Sequence, residues 1–426
     1  MKYKKIENSN YNLHLIKTNK YKQTVVRVSF RNELTFKSLL HQKLISEILL
    51  ESNSIYSTKR LLSIKTESLY NLSAYTNESQ SGDVLVTSYN MSFLNDKYSE
   101  EGLFRDCIKF MSDVIFKPKV SDEKFDDKAL ELAKKRMKED LKSIKESPMS
   151  YTMEKVYSYM GKGTPLAISL YGKENKIEEV NSHELYLSYL KSLETSIVDI
   201  FVVGDIDFND AEKVIADNFG LSDRKNLKLN HFIEYNNFKN NFTTRKEKLE
   251  NNQSILLLGF KLKDLTSFEK QYVLPVYSYI LGGGPDSKLF KNVREKHSLC
   301  YSISCSVKSV SNLMFITAGI NSKDYKKALK LTLKEVDNMR NGEFDDTDIN
   351  KAILTYLSVY KELSDSVHSV TNVYVNHEFI DSDLLEDKEK MIKKVTKEDI
   401  MKVIDKIYPD LIFFLEGTKE NEEESI

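Results

Sequence analysis

The seven histidines are the first side chains to test for chemistry, because imidazole is the commonest metal ligand and a frequent general base in proteins. They are His14, His41, His183, His231, His297, His368 and His377. Two imidazoles reach one zinc ion from a helix when they lie four residues apart, with a glutamate beside them as the base. The nearest two here, His368 and His377, lie nine residues apart (377 − 368 = 9), so no local pair can bind a metal. His377-Glu378 imitates the start of such a motif and is interpreted as an ordinary helix-end or surface pair.

Motifs for other kinds of chemistry are also missing. Gly282-Gly283-Gly284 is followed by Pro-Asp-Ser rather than by the Gly-Lys-Ser of a phosphate-binding loop, and no Gly-x-Ser-x-Gly elbow presents a serine nucleophile. The three cysteines, Cys107, Cys300 and Cys305, cannot form a disulfide framework in a chain of 426 residues. We therefore expect buried thiols at all three positions.

The most specific stretch is 281–303, LGGGPDSKLFKNVREKHSLCYSI. Its glycines stop a preceding helix, and Asp286 or Ser287 can cap a new short helix over Lys288–Lys296. Arg294 and Tyr301 then lie on either side of the turn into the next strand. A guanidinium and a phenol placed together can donate hydrogen bonds to a peptide carbonyl or to a developing oxyanion. The alternative is structural: Arg294 paired with Glu295 or another nearby acid, and Tyr301 as a half-buried strand residue.

The elements that position these residues follow from hydrophobic periodicity. In the first half, strands are predicted at Thr24–Phe30, Leu69–Thr76, Val84–Met91 and Ile197–Val203, and helices at Lys37–Leu50, Gly102–Phe116, Lys124–Ile144, Met149–Met160 and Ser182–Ser192. In the second half, strands are predicted at Ser254–Phe260, Tyr301–Val307, Leu313–Ile320 and Leu411–Leu415, and helices at Ser267–Leu281, Tyr325–Met339, Asp345–Leu363 and Lys397–Ile407.

The second half repeats the order of the first. Ser68-Leu69 and Ser298-Leu299 each precede a strand pair at an offset of 298 − 68 = 230, and Phe30 and Phe260 end the opening strands at the same offset. A period near half the chain favours two homologous domains over a solenoid, whose repeats are much shorter. We therefore predict an N-terminal domain over residues 1–221, a polar linker over 222–252 that contains a strand at Phe238–Arg245, and a C-terminal domain over 253–426.

Composition excludes several classes of protein. Hydrophobic residues make up 40% of the chain and aromatic residues 11%, enough for a sizeable core. The 63 Lys and Arg against 64 Asp and Glu give a net charge of −1, so no global charge attracts nucleic acid or an anionic membrane. The longest apolar runs are strand-sized, and no apolar stretch follows the N-terminus as in a signal peptide. The expected location is therefore cytoplasmic.

The stretch that carries Arg294 and Tyr301 also resembles a family. LGGGPDSKLFKNVREKHSLCYSIS is similar to the Arg/Tyr segment of the pitrilysin/insulinase-type zinc metallopeptidases, in which Gly-Gly, small-Ser-[Arg/Lys]-Leu-Phe, Arg-Glu-Lys, Leu and Tyr follow one another. The element order extends the resemblance, more weakly, over nearly the whole chain. It implies an α+β fold of two homologous domains, each a mixed, mostly antiparallel sheet flanked by helices (a LuxS/MPP-like half of a clam-shell chamber). It also implies that Arg294 and Tyr301 contact the peptide opposite the zinc.

The chain departs from this family in its first half. Catalytic members carry His-x-x-Glu-His on the first helix after the opening strands, with a further Glu ligand some 75 residues on. The equivalent helix here contains Leu44-Ile45-Ser46-Glu47-Ile48, so the resemblance places Leu44 and Ile48 where the imidazoles would be and keeps the glutamate as Glu47. Leucine and isoleucine cannot bind zinc. We expect no metal, no other cofactor and no catalytic residue in this chain.

Three functions fit this combination. The favoured one is the non-catalytic subunit of a heterodimeric peptidase, inactive alone, which supplies Arg294 and Tyr301 while a homologous subunit with His-x-x-Glu-His supplies the zinc. The partner could also be a second copy of this chain, and peptides or unfolded polypeptides would be the substrates. The second is a peptide-binding or scaffolding protein without a peptidase partner. The third is an independent hydrolase whose metal site is assembled from dispersed histidines and acids.

Overall fold

The chain forms two compact units in the computed structural model, which describes residues 1–221, 223 and 228–419. The first unit comprises Met1–Leu141, Ile168–His231 and Leu363–Asp381, and the second comprises Lys142–Ala167, Phe232–Glu362 and the chain from Ser382 onward. Residues 222 and 224–227 of the predicted linker and 420–426 of the second predicted domain lie outside the described residues. The predicted domain boundaries stay a prediction.

Thirteen strands and fourteen α-helices lie in the described part of the chain. The strands are β1 (Lys2–Glu7), β2 (Asn12–Lys17), β3 (Gln23–Glu33), β4 (Ser73–Ser81), β5 (Val84–Leu94), β6 (Val120–Ser121), β7 (Lys124–Phe125), β8 (Ile197–Gly204), β9 (Thr243–Leu249), β10 (Ser254–Leu262), β11 (Ser302–Lys308), β12 (Leu313–Ile320) and β13 (Ile407–Gly417). The helices are α1 (Phe36–Glu51), α2 (Lys59–Ser68), α3 (Leu103–Phe116), α4 (Asp127–Glu146), α5 (Pro148–Met160), α6 (Glu174–Glu179), α7 (Ser182–Thr195), α8 (Phe208–Asn218), α9 (Leu274–Gly282), α10 (Tyr325–Arg340), α11 (Asp346–Leu363), α12 (Val367–Ile380), α13 (Leu385–Ile392) and α14 (Lys397–Ile404).

A six-stranded sheet is the framework of the first unit. Its strand order is β1-β2-β8-β3-β5-β4, and every neighbouring pair is antiparallel except β2 and β8, which are parallel. The core on one face combines alternate side chains of β3 and β8 with the apolar faces of α1 and α3. Thr35 begins α1 with a capping box, in which its side chain accepts from the Ser38 N–H and Ser38 bonds back to the Thr35 backbone.

The second unit contains a five-stranded sheet with a matching order. Its strands run β9-β13-β10-β12-β11, with β9 and β13 parallel and the other pairs antiparallel. In the first sheet, β2-β8-β3-β5-β4 has the same succession of parallel and antiparallel pairs. The two halves of the chain therefore build the same sheet twice, with β1 added to the first copy. The predicted α+β fold with two mixed, mostly antiparallel sheets flanked by helices is confirmed.

Two helices each belong to the unit that is built mainly from the other half of the sequence. Helix α5, from the first half, packs on β10 and β13 of the second unit, and a side chain at Gly259 on β10 would collide with the Met160 sulfur, 2.4 Å from the added Cβ position. Helix α12, from the second half, packs on β3 and β8 of the first unit. Among the helices of the described residues, none combines the length and the apolar character that a membrane span requires.

Candidate functional site

The glycine run ends α9 where this helix meets the edge strand β11. A Cβ atom added to Gly282 would lie 2.6 Å from the backbone nitrogen of Cys305 on β11, so only glycine allows this close approach. Beyond the glycines, the Ser287 hydroxyl donates to the Gly284 carbonyl at 2.6 Å. Ser287 is buried, and its oxygen accepts from the Phe290 N–H at 3.4 Å. These contacts fix the start of the segment that carries Arg294.

Arg294 lies on a single π-helical turn, Phe290–Glu295, rather than on the short α-helix predicted over Lys288–Lys296. The Lys296 N–H donates to the Lys291 carbonyl at 3.0 Å, five residues back, which widens the turn. The turn ends at Ser298, whose φ of 50° is in the left-handed region and whose N–H donates to the Arg294 carbonyl at 2.8 Å. Isolated π turns and left-handed residues other than glycine are uncommon and often occur at functional sites.

A cavity of about 440 Å³ brings the two predicted residues together in the second unit. Its lining residues are Arg294, Glu295, Ser298, Leu299, Cys300, Tyr301 and Asn321. The Arg294 guanidinium stacks over the Phe290 ring, 4.6 Å from its centroid, and makes no ion pair with Glu295 or any other described acid. Tyr301 is 62% exposed. Arg294 therefore has its charge available, and Tyr301 is an open wall of the cavity rather than a half-buried strand residue.

The one thiol among these lining residues is poorly suited to nucleophilic chemistry. Cys300 is buried, and this burial raises the pKa of its thiol to about 11, although the charge of Arg294 lowers it in part. The reactive form of cysteine is the thiolate, so little of Cys300 is in its reactive form near neutral pH. The cavity thus offers hydrogen-bonding groups and a positive charge, which suit binding better than covalent catalysis. The three cysteines are free and buried, as the sequence predicts.

The predicted zinc-motif positions on α1 do not fit a zinc ion. Leu44 and Ile48 are 0% and 2% exposed and pack in the core of the first unit. Glu47 is half exposed, and its Oε2 atom lies 3.1 Å from Nη1 of Arg136 on α4. The same nitrogen lies 3.0 Å from Glu51 Oε2. Two aliphatic side chains and a guanidinium provide no metal ligand, so these positions do not form a zinc site.

A second polar cluster, which the sequence did not predict, lies between the first sheet and α12. His14 on β2, Asp199 on β8 and Glu378 on α12 each place a ligand-type atom within 4.8 Å of the others. His14 is fully buried, with Nδ1 2.8 Å from the Tyr3 hydroxyl and Nε2 3.5 Å from Asp199 Oδ1. His377-Glu378 thus lies at a helix end, one of the two places that the sequence analysis expected, and only 15% of the Glu378 side chain is exposed.

Both carboxylates of this cluster are already neutralised by cations. Asp199 Oδ2 accepts from Arg31 Nε at 2.8 Å and from Arg31 Nη2 at 2.7 Å, while Glu378 Oε1 lies 3.0 Å from Lys5 Nζ. Burial works to raise the pKa of Asp199, but the nearby His14 ring, the charge of Arg31 and the hydrogen bond from Asn12 outweigh it and lower the pKa. The cluster is best described as a buried ion-pair network that attaches α12 to the sheet.

The chain is similar in sequence to known proteins. Residues 180–356 match the family model described as "Peptidase M16 inactive domain". The chain is 25% identical over 413 residues to "Probable inactive metalloprotease YmfF" of Bacillus subtilis (strain 168), covering 95% of this chain and 96% of the relative.

Two solved structures have a similar fold over nearly the full length of the chain. A conserved protein from Enterococcus faecalis V583 has a TM-score of 0.90 at 26% identity and covers 98% of this chain and 99% of its own. The peptidase M16 inactive domain from Pseudomonas fluorescens has a TM-score of 0.79 at 17% identity, with 98% of each chain covered. The resemblance seen in the Arg294–Tyr301 segment is confirmed, because the part of the chain that matches the peptidase M16 inactive-domain model contains this segment.

Proposed function

We propose that this chain is the non-catalytic, substrate-binding subunit of a heterodimeric peptidase. The partner would be a homologous subunit that carries His-x-x-Glu-His and the zinc ion. This chain would supply Arg294 and Tyr301, which hold the backbone of a peptide or an unfolded polypeptide inside an enclosed chamber. A cytoplasmic location, expected from the sequence and compatible with the three free thiols, is part of the proposal.

One observation carries the proposal: Arg294 and Tyr301 line the same open cavity, and Arg294 has no described acidic partner. A cation without an ion pair beside a cavity is expected where a ligand supplies the missing acceptor. The aliphatic residues at Leu44 and Ile48 support a division of labour, since a chain that has kept a binding pair but cannot hold zinc needs another subunit for chemistry.

The first test is to isolate the tagged chain from its native cell extract and identify what accompanies it. A stoichiometric second chain that bears His-x-x-Glu-His supports the proposal. If the chain emerges alone or as a homodimer, the heterodimer is excluded, and the peptide-binding or scaffolding function becomes the one to test.

The second test is Arg294→Ala in the reconstituted pair, assayed with an internally quenched peptide. Loss of one charged hydrogen bond to the substrate corresponds to about 1.5–3 kcal/mol, so kcat/KM should fall by roughly 10- to 100-fold while the two subunits still assemble. Lys296→Ala is the matched control, because Lys296 is an exposed cation two residues away that does not line the cavity. Unchanged cleavage by the Arg294→Ala pair contradicts the substrate-binding role.

A further inference from the structure

The phenol of Tyr301 is held by a residue that neither motif nor resemblance indicates. Tyr301 Oη donates a hydrogen bond to Asn321 Oδ1 at 2.8 Å. Tyr301 lies just before β11 and Asn321 just after β12, and these two strands are antiparallel neighbours. The Tyr301 N–H also donates to the Gly319 carbonyl at 2.9 Å, so both ends of the tyrosine are attached to the end of β12.

Asn321 does not make the capping hydrogen bond that an asparagine usually makes at its position. It is the N-cap of a short 3-10 turn, Ser322–Asp324, yet its side chain makes no capping hydrogen bond. An N-cap asparagine normally accepts from the backbone of the following turn and so stabilises it. Here the side-chain oxygen binds Tyr301 instead. The Asn321 side chain therefore supports the cavity wall rather than the local turn.

This contact determines which hydrogen bonds the cavity can offer. A phenol has one hydrogen, and in Tyr301 that hydrogen points to Asn321. What Tyr301 presents to the cavity is consequently an oxygen lone pair, which accepts. Arg294 has only donors. The cavity thus combines donors on one side with an acceptor on the other, the complement of the C=O and N–H groups of an extended backbone.

We infer that Asn321 is a positioning residue that turns Tyr301 into the acceptor for a backbone N–H of the bound polypeptide, while Arg294 donates to a backbone carbonyl. This inference rests on the proposed function, because it assumes that polypeptide is the ligand of this cavity. It differs from a pair of donors that both address one carbonyl, and it predicts that the site distinguishes amides that carry hydrogen from those that do not.

The test measures binding of a fluorescein-labelled, unstructured casein peptide by anisotropy, together with a series in which one backbone nitrogen at a time is methylated. Methylation removes the N–H, so at one position it should weaken binding to the wild-type protein by about five- to tenfold, the value of one hydrogen bond. Tyr301→Phe should lose this position dependence. Asn321→Ala should reduce it, because the phenol oxygen can still accept but its hydrogen is no longer held away from the peptide. Asn321→Asp keeps an acceptor for the phenol and should retain it. Thermal unfolding of each variant verifies that the fold persists.

The possible outcomes separate the inference from the proposed function. If the wild-type protein binds no unmodified peptide, alone or with its partner subunit, the proposed function fails. If it binds and Arg294→Ala weakens binding, but no methylated position depends on Tyr301, only the inference fails. If Asn321→Ala weakens binding equally in the wild-type and Tyr301→Phe backgrounds, Asn321 contacts the peptide directly and is not a positioning residue.

Discussion

Arg136 on α4 binds Glu47 on α1, with its Nη1 atom 3.1 Å from the glutamate Oε2. The glutamate that the resemblance aligns with the catalytic base is therefore paired with a cation of this chain. Its neighbours Leu44 and Ile48 contribute to the core instead of binding a metal. Helix α1 is thus a structural element whose polar side pairs with α4.

Restoring the two histidines should not restore a zinc site. Leu44→His with Ile48→His puts two polar rings into a packed core, which should lower the free energy of unfolding by roughly 2–5 kcal/mol. Urea denaturation with and without zinc measures this. Leu44→Met with Ile48→Leu is the matched control and should cost less, because it conserves apolar volume. Zinc binding by the double-histidine variant, with a rise in its melting temperature, would contradict this prediction. It would show that the two histidines are enough to restore the metal site.

The ion-pair network beneath α12 should be essential for the stability of the first unit. Asp199→Ala leaves Arg31 and Asn12 buried without their shared acceptor, and breaking a buried pair in this way costs about 3–5 kcal/mol. The control is Glu212→Ala, which removes a partly exposed pair with Lys4 and should cost no more than about 1 kcal/mol. Equal losses for both variants in chemical denaturation contradict this assignment.

Acid should destabilise the first unit partly through His231. Burial and the adjacent Arg31 lower the pKa of His231 to about 4, whereas an unfolded histidine titrates near 6.5. Between these values the unfolded state binds more protons, so the free energy of unfolding falls as pH decreases from about 6.5 to 4, by roughly 1–3 kcal/mol. Denaturation of the wild-type protein and His231→Gln across this range should show a flatter profile for the variant. Parallel profiles would assign the acid sensitivity to other groups.

The thiols in the second unit should resist alkylation. Burial raises the pKa of Cys300 to about 11 and that of Cys305 to about 12. At pH 8 the thiolate fraction of Cys300 is about a hundredfold below that of an ordinary cysteine, so iodoacetamide should react correspondingly slowly. Mass spectrometry of the native protein over time measures the rate, and the protein in urea is the control. Rapid native labelling of Cys300 would mean that the cavity wall opens.

The apolar sheet strands could be predicted from sequence, while elements without an apolar pattern could not. Leu313–Ile320 was predicted with the bounds that β12 has. Strand β9 was predicted at Phe238–Arg245 but spans Thr243–Leu249, since most of its side chains are exposed and its place is set by pairing with β13. Helix α12 was not predicted, because its β-branched residues have low helix propensity and contacts with the sheet, distant in sequence, help to stabilise it.

The sequence predicted the Arg294–Tyr301 motif of the candidate site but not the residues that support this motif. Arg294 and Tyr301 lie within one short segment, so their proximity could be inferred locally. Asn321 was missed because it is twenty residues from Tyr301 along the chain. The signal was present nonetheless: pairing the predicted strands Tyr301–Val307 and Leu313–Ile320 as a hairpin brings their open ends together. His14, Asp199 and Glu378 left no such signal, because they come from elements distant in sequence.

The origin of α12 has a consequence for how the protein is made. The sheet that α12 covers is complete in sequence once β8 has been synthesised, but its buried charges stay uncovered until the ribosome has passed residue 380. At ordinary elongation rates that delay is on the order of ten seconds or more. During this interval the nascent first unit exposes Arg31 and Asp199 on an unfinished surface. The first unit therefore cannot bury this ion pair until most of the second half of the chain has been made.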